Sequence, residues 1–207
     1  MTIRYLRRYR DATRMNHWFV AMMFFAAGLS GLAFFHPSLF FFSALFGGGQ
    51  WTRILHPFLG VAMVLGFFFL FFTMWRENLL DRNDRDWIRH APKMLQGDKA
   101  GMPPVGKYNA GQKFFFWMAA VTGLLILLTG VVLWWPTYFN QPLRSISILL
   151  HDLCFIGFFA AIVGHIYLGT AAEPGTFRSM TRGTVTKAWA KLHHARWYRD
   201  VMGDRRS

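Results

Sequence analysis

Four long uncharged runs punctuate the chain, at residues 18–35, 57–75, 114–135 and 153–172. They are 18, 19, 22 and 20 residues long. A hydrocarbon core about 30 Å thick, crossed at about 1.5 Å per residue, takes about 20 residues of α-helix. All four runs meet that length. The pattern predicts an all-α fold, a bundle of four transmembrane helices, with spans of about 17–36, 55–75, 113–135 and 147–172. Residues 1–207 read as a single membrane domain that ends in a polar tail, 173–207. The first run is too long for a signal peptide, and no small-residue cleavage site follows it. A fifth apolar stretch, Pro37–Phe46, is short and interrupted, and reads as an interfacial segment.

Charge then orients the bundle. The chain carries 23 Lys and Arg against 10 Asp and Glu, a net charge of +13. So basic a sequence invites a nucleic-acid reading, but the distribution rejects it. Five arginines precede the first run, eight basic residues lie between the second and third, and eight follow the fourth. Only Arg53 and Arg144 fall in the other two loops, so 21 of 23 lie on one side. The positive-inside rule makes both termini and the central loop cytoplasmic. Trp18, Trp51, Trp75, Trp117, Trp134, Trp135, Tyr138 and Tyr167 sit near span ends, as an aromatic belt requires. The tail, with Trp189, Trp197 and Tyr198 among basic residues, suits a helix on the membrane surface or a docking surface for a soluble partner.

The lone cysteine, Cys154, excludes a disulfide framework, a cysteine-held iron–sulfur cluster and covalent haem attachment. Candidate chemistry rests instead on histidine. Of eight histidines, His17, His56, His151 and His165 lie in or at the edges of the spans. His17 and His165 fall at the inner level, and His56 and His151 at the outer level. The 14 residues from His151 to His165 correspond to about 21 Å of helix and return to within about 40° of one face. Two depth-matched pairs on different helices are what bis-imidazole ligation of two stacked haems needs.

Other readings of the same histidines remain open at this point. A histidine inside a membrane also hydrogen-bonds backbone, relays protons or binds a bare metal ion, as in a histidine-lined transporter. The near absence of intramembrane carboxylates, Asp152 at the outer rim apart, favours haem. Gly28, Gly31, Gly60, Gly157 and Gly164 sit near the histidine levels and suit a porphyrin edge, although close helix packing explains membrane glycines more often. His36, His90, His193 and His194 read as interfacial, solvated or partner-facing.

Three segments carry a resemblance. Arg53-Ile-Leu-His56-Pro-Phe, Gly106-Lys-Tyr-Asn109-Ala-Gly-Gln112-Lys and Trp189-Ala-x-x-His193-His194-x-x-Trp197-Tyr198 resemble the gamma (cytochrome b) subunit of membrane-bound respiratory formate dehydrogenase. They occur in the same order and spacing over nearly the whole chain. The related cytochrome b anchors of nickel–iron hydrogenases share the four-helix dihaem plan. The resemblance implies two b haems, the outer on His56 and His151 and the inner on His17 and His165. It implies an iron–sulfur (beta) subunit and a catalytic molybdenum or tungsten (alpha) subunit as partners on the outer side. It also implies reduction of a membrane quinone, menaquinone or ubiquinone, near the inner haem, with Asn109 and Gln112 matching the quinone loop. It lapses over 169–176, around Glu173-Pro174-Gly175.

From the residues alone, Asn109 is an ordinary helix N-cap. Asn109 and Gln112 are equally able to donate hydrogen bonds to a quinone carbonyl, with Lys113 supplying positive charge. The expected function is that of a dihaem b-type membrane anchor passing electrons inward to quinone, with no formate-oxidising site of its own. The resemblance also implies a bacterial inner (cytoplasmic) membrane as the location. The alternatives are a cytochrome b anchor of a hydrogenase-type complex, a free-standing quinone-dependent cytochrome b and a histidine-lined membrane transporter.

Overall fold

The computed structural model describes residues 4–95 and 102–203. Lys99, Arg205 and Arg206, counted above in the charge asymmetry, lie outside the described residues, as does the side chain of Lys93. Among the described residues, four helices are long and apolar enough to cross a membrane. They are α1 (Asp11–Phe35), α2 (Gly49–Met74), and, beyond a shorter polar helix α3 (Arg82–Leu95), α4 (Ala110–Trp134) and α5 (Gln141–Tyr167). Large apolar side chains stand exposed along all four, among them Met22, Leu65, Phe72, Leu128 and Leu149. Surfaces this apolar are stable only against lipid. The protein is a helical transmembrane bundle.

Local chemistry sets the helix ends. Asp11 sits in the first turn of α1, where the helix dipole favours a carboxylate, and accepts a 2.6 Å hydrogen bond from Arg14 Nη1. α1 stops before Pro37, because proline disfavours helical backbone in the residue preceding it. Pro37–Phe46 then forms a 3-10 helix. Its ten residues, at about 2.0 Å each, cannot cross the core. Gly47 and Gly48, at φ 85° and 98°, turn the chain into α2 through left-handed backbone that a side chain would strain. At its far end α5 loosens into a π-type turn, Leu168–Ala172. That departure from regular helix lies in the stretch where the sequence resemblance lapses.

The chain divides into two compact units, and α1, α2, α4 and α5 contribute residues to both. The first, Met15–Thr73 with Ala119–Gly164, contains His17, His56 and His151. Within it α1 and α2 approach closely. A Cβ on Gly66 would lie 2.8 Å from Val20 Cγ2, and Asn16 Nδ2 donates to the Gly66 carbonyl at 2.8 Å.

The second unit joins the N-terminus, residues 74–118 and residues 165–207. Here the tail departs from the expected surface helix. It folds as α6 (Phe177–Thr181), α7 (Lys187–His193) and α8 (Ala195–Met202), with a short strand before α7. That strand, β2 (Thr184–Thr186), pairs antiparallel with an N-terminal strand, β1 (Tyr5–Arg7), placing Leu6 opposite Val185. Leu6, Val185, Trp189, Ala190 and Trp197 make its core. Gly183, at φ 72°, is needed there: a Cβ would stand 2.9 Å from the Tyr9 carbonyl oxygen.

His194, read from sequence as solvated or partner-facing, is instead buried at 2% exposure. Its Nδ1 lies 2.8 Å from the Gly106 carbonyl and its Nε2 3.3 Å from Arg8 Nη2. Arg8 also donates to the Lys107 carbonyl, and its guanidinium carbon stands 5.0 Å from the ring centres of both Trp189 and Trp197. The motif around Gly106 and the motif around His194 are therefore packing partners, and together they hold the loop that leads into α4.

Burial, then the neighbouring Arg8 charge, push His194 down to about 3 from an ordinary 6.5. A histidine held neutral in the fold stabilises it fully above about pH 6.5, and the contribution is lost as pH falls toward 3. At pH 5 the loss is about 2 kcal/mol. Protection of the β2, α7 and α8 amides, measured as hydrogen exchange relative to the intrinsic rate at each pH, should fall between pH 7 and pH 5. A His194→Gln variant should lack that fall. Equal pH responses in both proteins would contradict the assignment.

Candidate haem and quinone sites

His56 lies in the second turn of α2, and Pro57 follows it. Proline has no N–H, so the helix gives up one backbone bond at this level. The His56 ring faces that of His151, on α5, with ring centres 6.2 Å apart and planes inclined at 67°. Two imidazoles bound to one metal from opposite sides, at about 2.0–2.1 Å per bond, have ring centres about 6–6.5 Å apart. The observed spacing fits an iron held between them.

The ring nitrogens agree with that fit. His56 Nδ1 lies 2.9 Å from Ser30 Oγ, and His151 Nδ1 lies 3.0 Å from Thr129 Oγ1. In each ring Nε2 would then be the atom available to a metal. Among the described residues, no group of three or more His, Cys, Asp or Glu side chains is placed to hold a bare metal ion. Two opposed imidazoles without further protein ligands suit a metal whose other positions are filled by a macrocycle.

Glycine borders each ring. A Cβ on Gly31 would stand 3.1 Å from His56 Cε1, and one on Gly130 would stand 3.4 Å from His151 Cε1. A Cβ on Gly28 would lie 3.2 Å from Phe155 Cε2. At Gly60, Gly157 and Gly164 a Cβ would meet no heavy atom of the described residues within 4 Å. Close helix packing, the commoner use of membrane glycine, therefore does not account for those three. Ser30, Thr129 and Gly130 were not among the residues singled out from the sequence. Asp152 is half-buried beside His151.

The other two histidines of the spans, His17 and His165, fall in different units. His17 stands edge-on to Trp18, with ring centres 5.5 Å apart. His165 stacks on Phe115, with ring centres 4.6 Å apart and planes within 6°. Phe115 lies three residues beyond Gln112, on the same side of α4.

Asn109 and Gln112 are not independent polar residues. Gln112 N donates to Asn109 Oδ1 at 2.9 Å, and Asn109 N donates to Gln112 Oε1 at 3.0 Å. This is a reciprocal capping box at the start of α4. It commits both side-chain oxygens to backbone, so the NH2 groups are what each amide has left to offer a ligand. The expected contribution of Lys113 is corrected by the structure. Its side chain is 3% exposed, and its Nζ lies 2.8 Å from Asp84 Oδ2 and 3.4 Å from Asp81 Oδ2. That charge is already paired within a buried network tying α3 to α4. Burial works against ionisation of Asp81, but the Arg196 hydrogen bond and the Lys113 charge outweigh it and hold the carboxyl below its usual range.

A family model described as prokaryotic cytochrome b561 matches residues 8–183. The chain belongs to that family. As a cytochrome b it holds haem b, and it acts as a membrane electron-transfer anchor. Three relatives extend the likeness over nearly the whole length. The formate dehydrogenase cytochrome b556(fdo) subunit of Escherichia coli K12 is 39% identical over 197 residues, covering 94% of this chain and 92% of the relative. The nitrate-inducible formate dehydrogenase cytochrome b556(Fdn) subunit of the same strain is 38% identical over 191 residues, covering 91% and 88%. The formate dehydrogenase cytochrome b556 subunit of Haemophilus influenzae is 35% identical over 198 residues, covering 94% and 83%. The family match runs across 169–176, where the motif resemblance lapses.

Proposed function

We propose that this cytochrome is the dihaem membrane anchor of a formate dehydrogenase, carrying electrons inward from an outer iron–sulfur and catalytic module to quinone on the cytoplasmic side. The observation that carries the reading is the opposed His56 and His151 pair, 6.2 Å apart between ring centres. These two residues are the outer axial ligands. His17 and His165 are assigned the inner haem from their matching depth in the sequence alone. The partners are inferred from the relatives, each of which is named as a formate dehydrogenase subunit.

Haem b, when bound, supplies reversible one-electron exchange at iron. The rest is the work of the chain. Four imidazoles fix two levels along one bundle, and the apolar helices exclude water from both. At the quinone end the Asn109 and Gln112 amides donate hydrogen bonds to a carbonyl as it gains charge. The stacked ring of Phe115 supports this placement, because it ties His165 to the first turns of α4.

Reading the chain as one membrane domain, with the four long helices as spans and both termini cytoplasmic, rests on the 21 basic residues of one side. A C-terminal alkaline phosphatase fusion should therefore be inactive, and fusions in the loops carrying Arg53 and Arg144 should be active. The opposite pattern would invert the order of the haems across the membrane. The functional test is reduction in the assembled complex. Formate should reduce the haem b of this chain, and added quinone should reoxidise it. Haem that dithionite reduces and formate does not would remove the proposed donor.

A further inference from the structure

Two hydroxyl residues outside the ligand set make the same contact on two different helices. Ser30, on α1, is fully buried. Its Oγ donates to the Ala27 carbonyl at 2.9 Å and stands 2.9 Å from His56 Nδ1. Thr129, on α4, is 7% exposed. Its Oγ1 lies 2.7 Å from the Leu125 carbonyl, 3.2 Å from that of Ile126 and 3.0 Å from His151 Nδ1. Each is followed by the glycine that borders the same ring, Gly31 at His56 and Gly130 at His151.

A hydroxyl carries one proton. In both residues that proton is directed at a carbonyl one turn back in the helix, so toward the ring the oxygen can only accept. The hydrogen of each imidazole must then sit on Nδ1, which leaves the lone pair on Nε2. The other tautomer would present an N–H where a metal ligand is needed. In an apolar bundle no bulk water is at hand to hold the ring otherwise. An imidazole that donates from Nδ1 is also a more basic ligand through Nε2.

We propose that Ser30-Gly31 and Thr129-Gly130 form a paired clasp on the outer haem. The hydroxyls are positioning residues that fix the tautomer and plane of His56 and His151, and they favour the ferric state. The glycines give the rings room. The proposal rests on the reading of His56 and His151 as axial ligands.

The test is potentiometric titration of the haem-loaded chain in its complex, with low-spin haem signals followed by electron paramagnetic resonance. Thr129→Val keeps the shape and removes the acceptor, Thr129→Ser restores it, and Ser30→Ala tests the other side independently. Thr129→Val and Ser30→Ala should each raise the outer haem's potential. At the wild-type midpoint the ferrous-to-ferric ratio should rise about three- to tenfold, tenfold being about 59 mV for one electron. The inner haem should not move, and Thr129→Ser should behave as wild type. Loss of the outer haem from Thr129→Val but not from Thr129→Ser would be the same result in stronger form. Retained haem with unchanged potential and spectrum in both Thr129→Val and Ser30→Ala would overturn the clasp. Retention of the outer haem in His56→Ala and His151→Ala would overturn the ligand reading instead, so the two failures are distinguishable.

Discussion

Replacing His56 or His151 with alanine should leave the chain with one haem b instead of two. Both variants should lose the same component of the reduced-minus-oxidised spectrum. In this assignment each imidazole would be the chain's own bond to the iron on its side, so its loss would leave that side without its protein ligand. His17→Ala and His165→Ala should remove the other component. The expected effect is complete at each level, because a b-type haem has no covalent tether and Cys154 cannot supply one. Loss of one common component from His17→Ala and His56→Ala variants would contradict the pairing. The ring contacts make a second demand. Phe115→Ala should disturb only the component assigned to His165, whose ring Phe115 stacks against.

The quinone site should respond to variants chosen around the capping box. Truncating Asn109 or Gln112 breaks the reciprocal cap as well as any bond to quinone, so Ala or Leu at these positions confounds two effects. Asn109→Asp and Gln112→Glu keep the oxygen acceptors and remove the NH2 donors. If those donors stabilise a quinone oxygen as it is reduced, each loss costs about 1.5–3 kcal/mol, or roughly ten- to a hundredfold in the rate of haem reoxidation. Haem content should stay at two. A residue that serves only as a cap predicts otherwise: a missing cap weakens the helix start by about 1 kcal/mol, and these variants keep theirs. Stopped-flow oxidation of the reduced haems by a quinone analogue separates the cases. Wild-type rates in both Asn109→Asp and Gln112→Glu would leave the capping box as their whole role. Lys113 enters this account as a structural residue, because its ammonium is matched by Asp84 and Asp81.

The four spans were legible in the sequence because they are a one-dimensional signal, and His56 and His151, assigned to one level, stand 6.2 Å apart between ring centres. Apolar run length measures membrane thickness, and the position of a histidine along a run measures its depth. What stayed hidden depends on contacts between distant parts of the chain. The pairing of Tyr5–Arg7 with Thr184–Thr186 joins two three-residue strands from opposite ends of the sequence, too short for any alternation to show. Burial of His194 follows from that pairing and from the loop at Gly106, so local composition, rich in basic residues, pointed the wrong way. Ser30 was hidden by the choice of reference. Counted from His17 at about 100° per residue, it falls some 140° off that face, and it serves a histidine on the neighbouring helix instead. The hydroxyl–glycine pair recurring in two spans was the available signal. Asn109 and Gln112 were legible as a cap, three residues apart before an apolar run, and the structure adds that they cap each other.

The central claim is that one chain holds two b haems between paired histidines. A pyridine haemochrome assay on the purified chain, against a protein concentration from amino-acid analysis, tests it most directly. The account predicts two haem b per chain, falling to one in His56→Ala. One haem or none in the wild-type protein would contradict it.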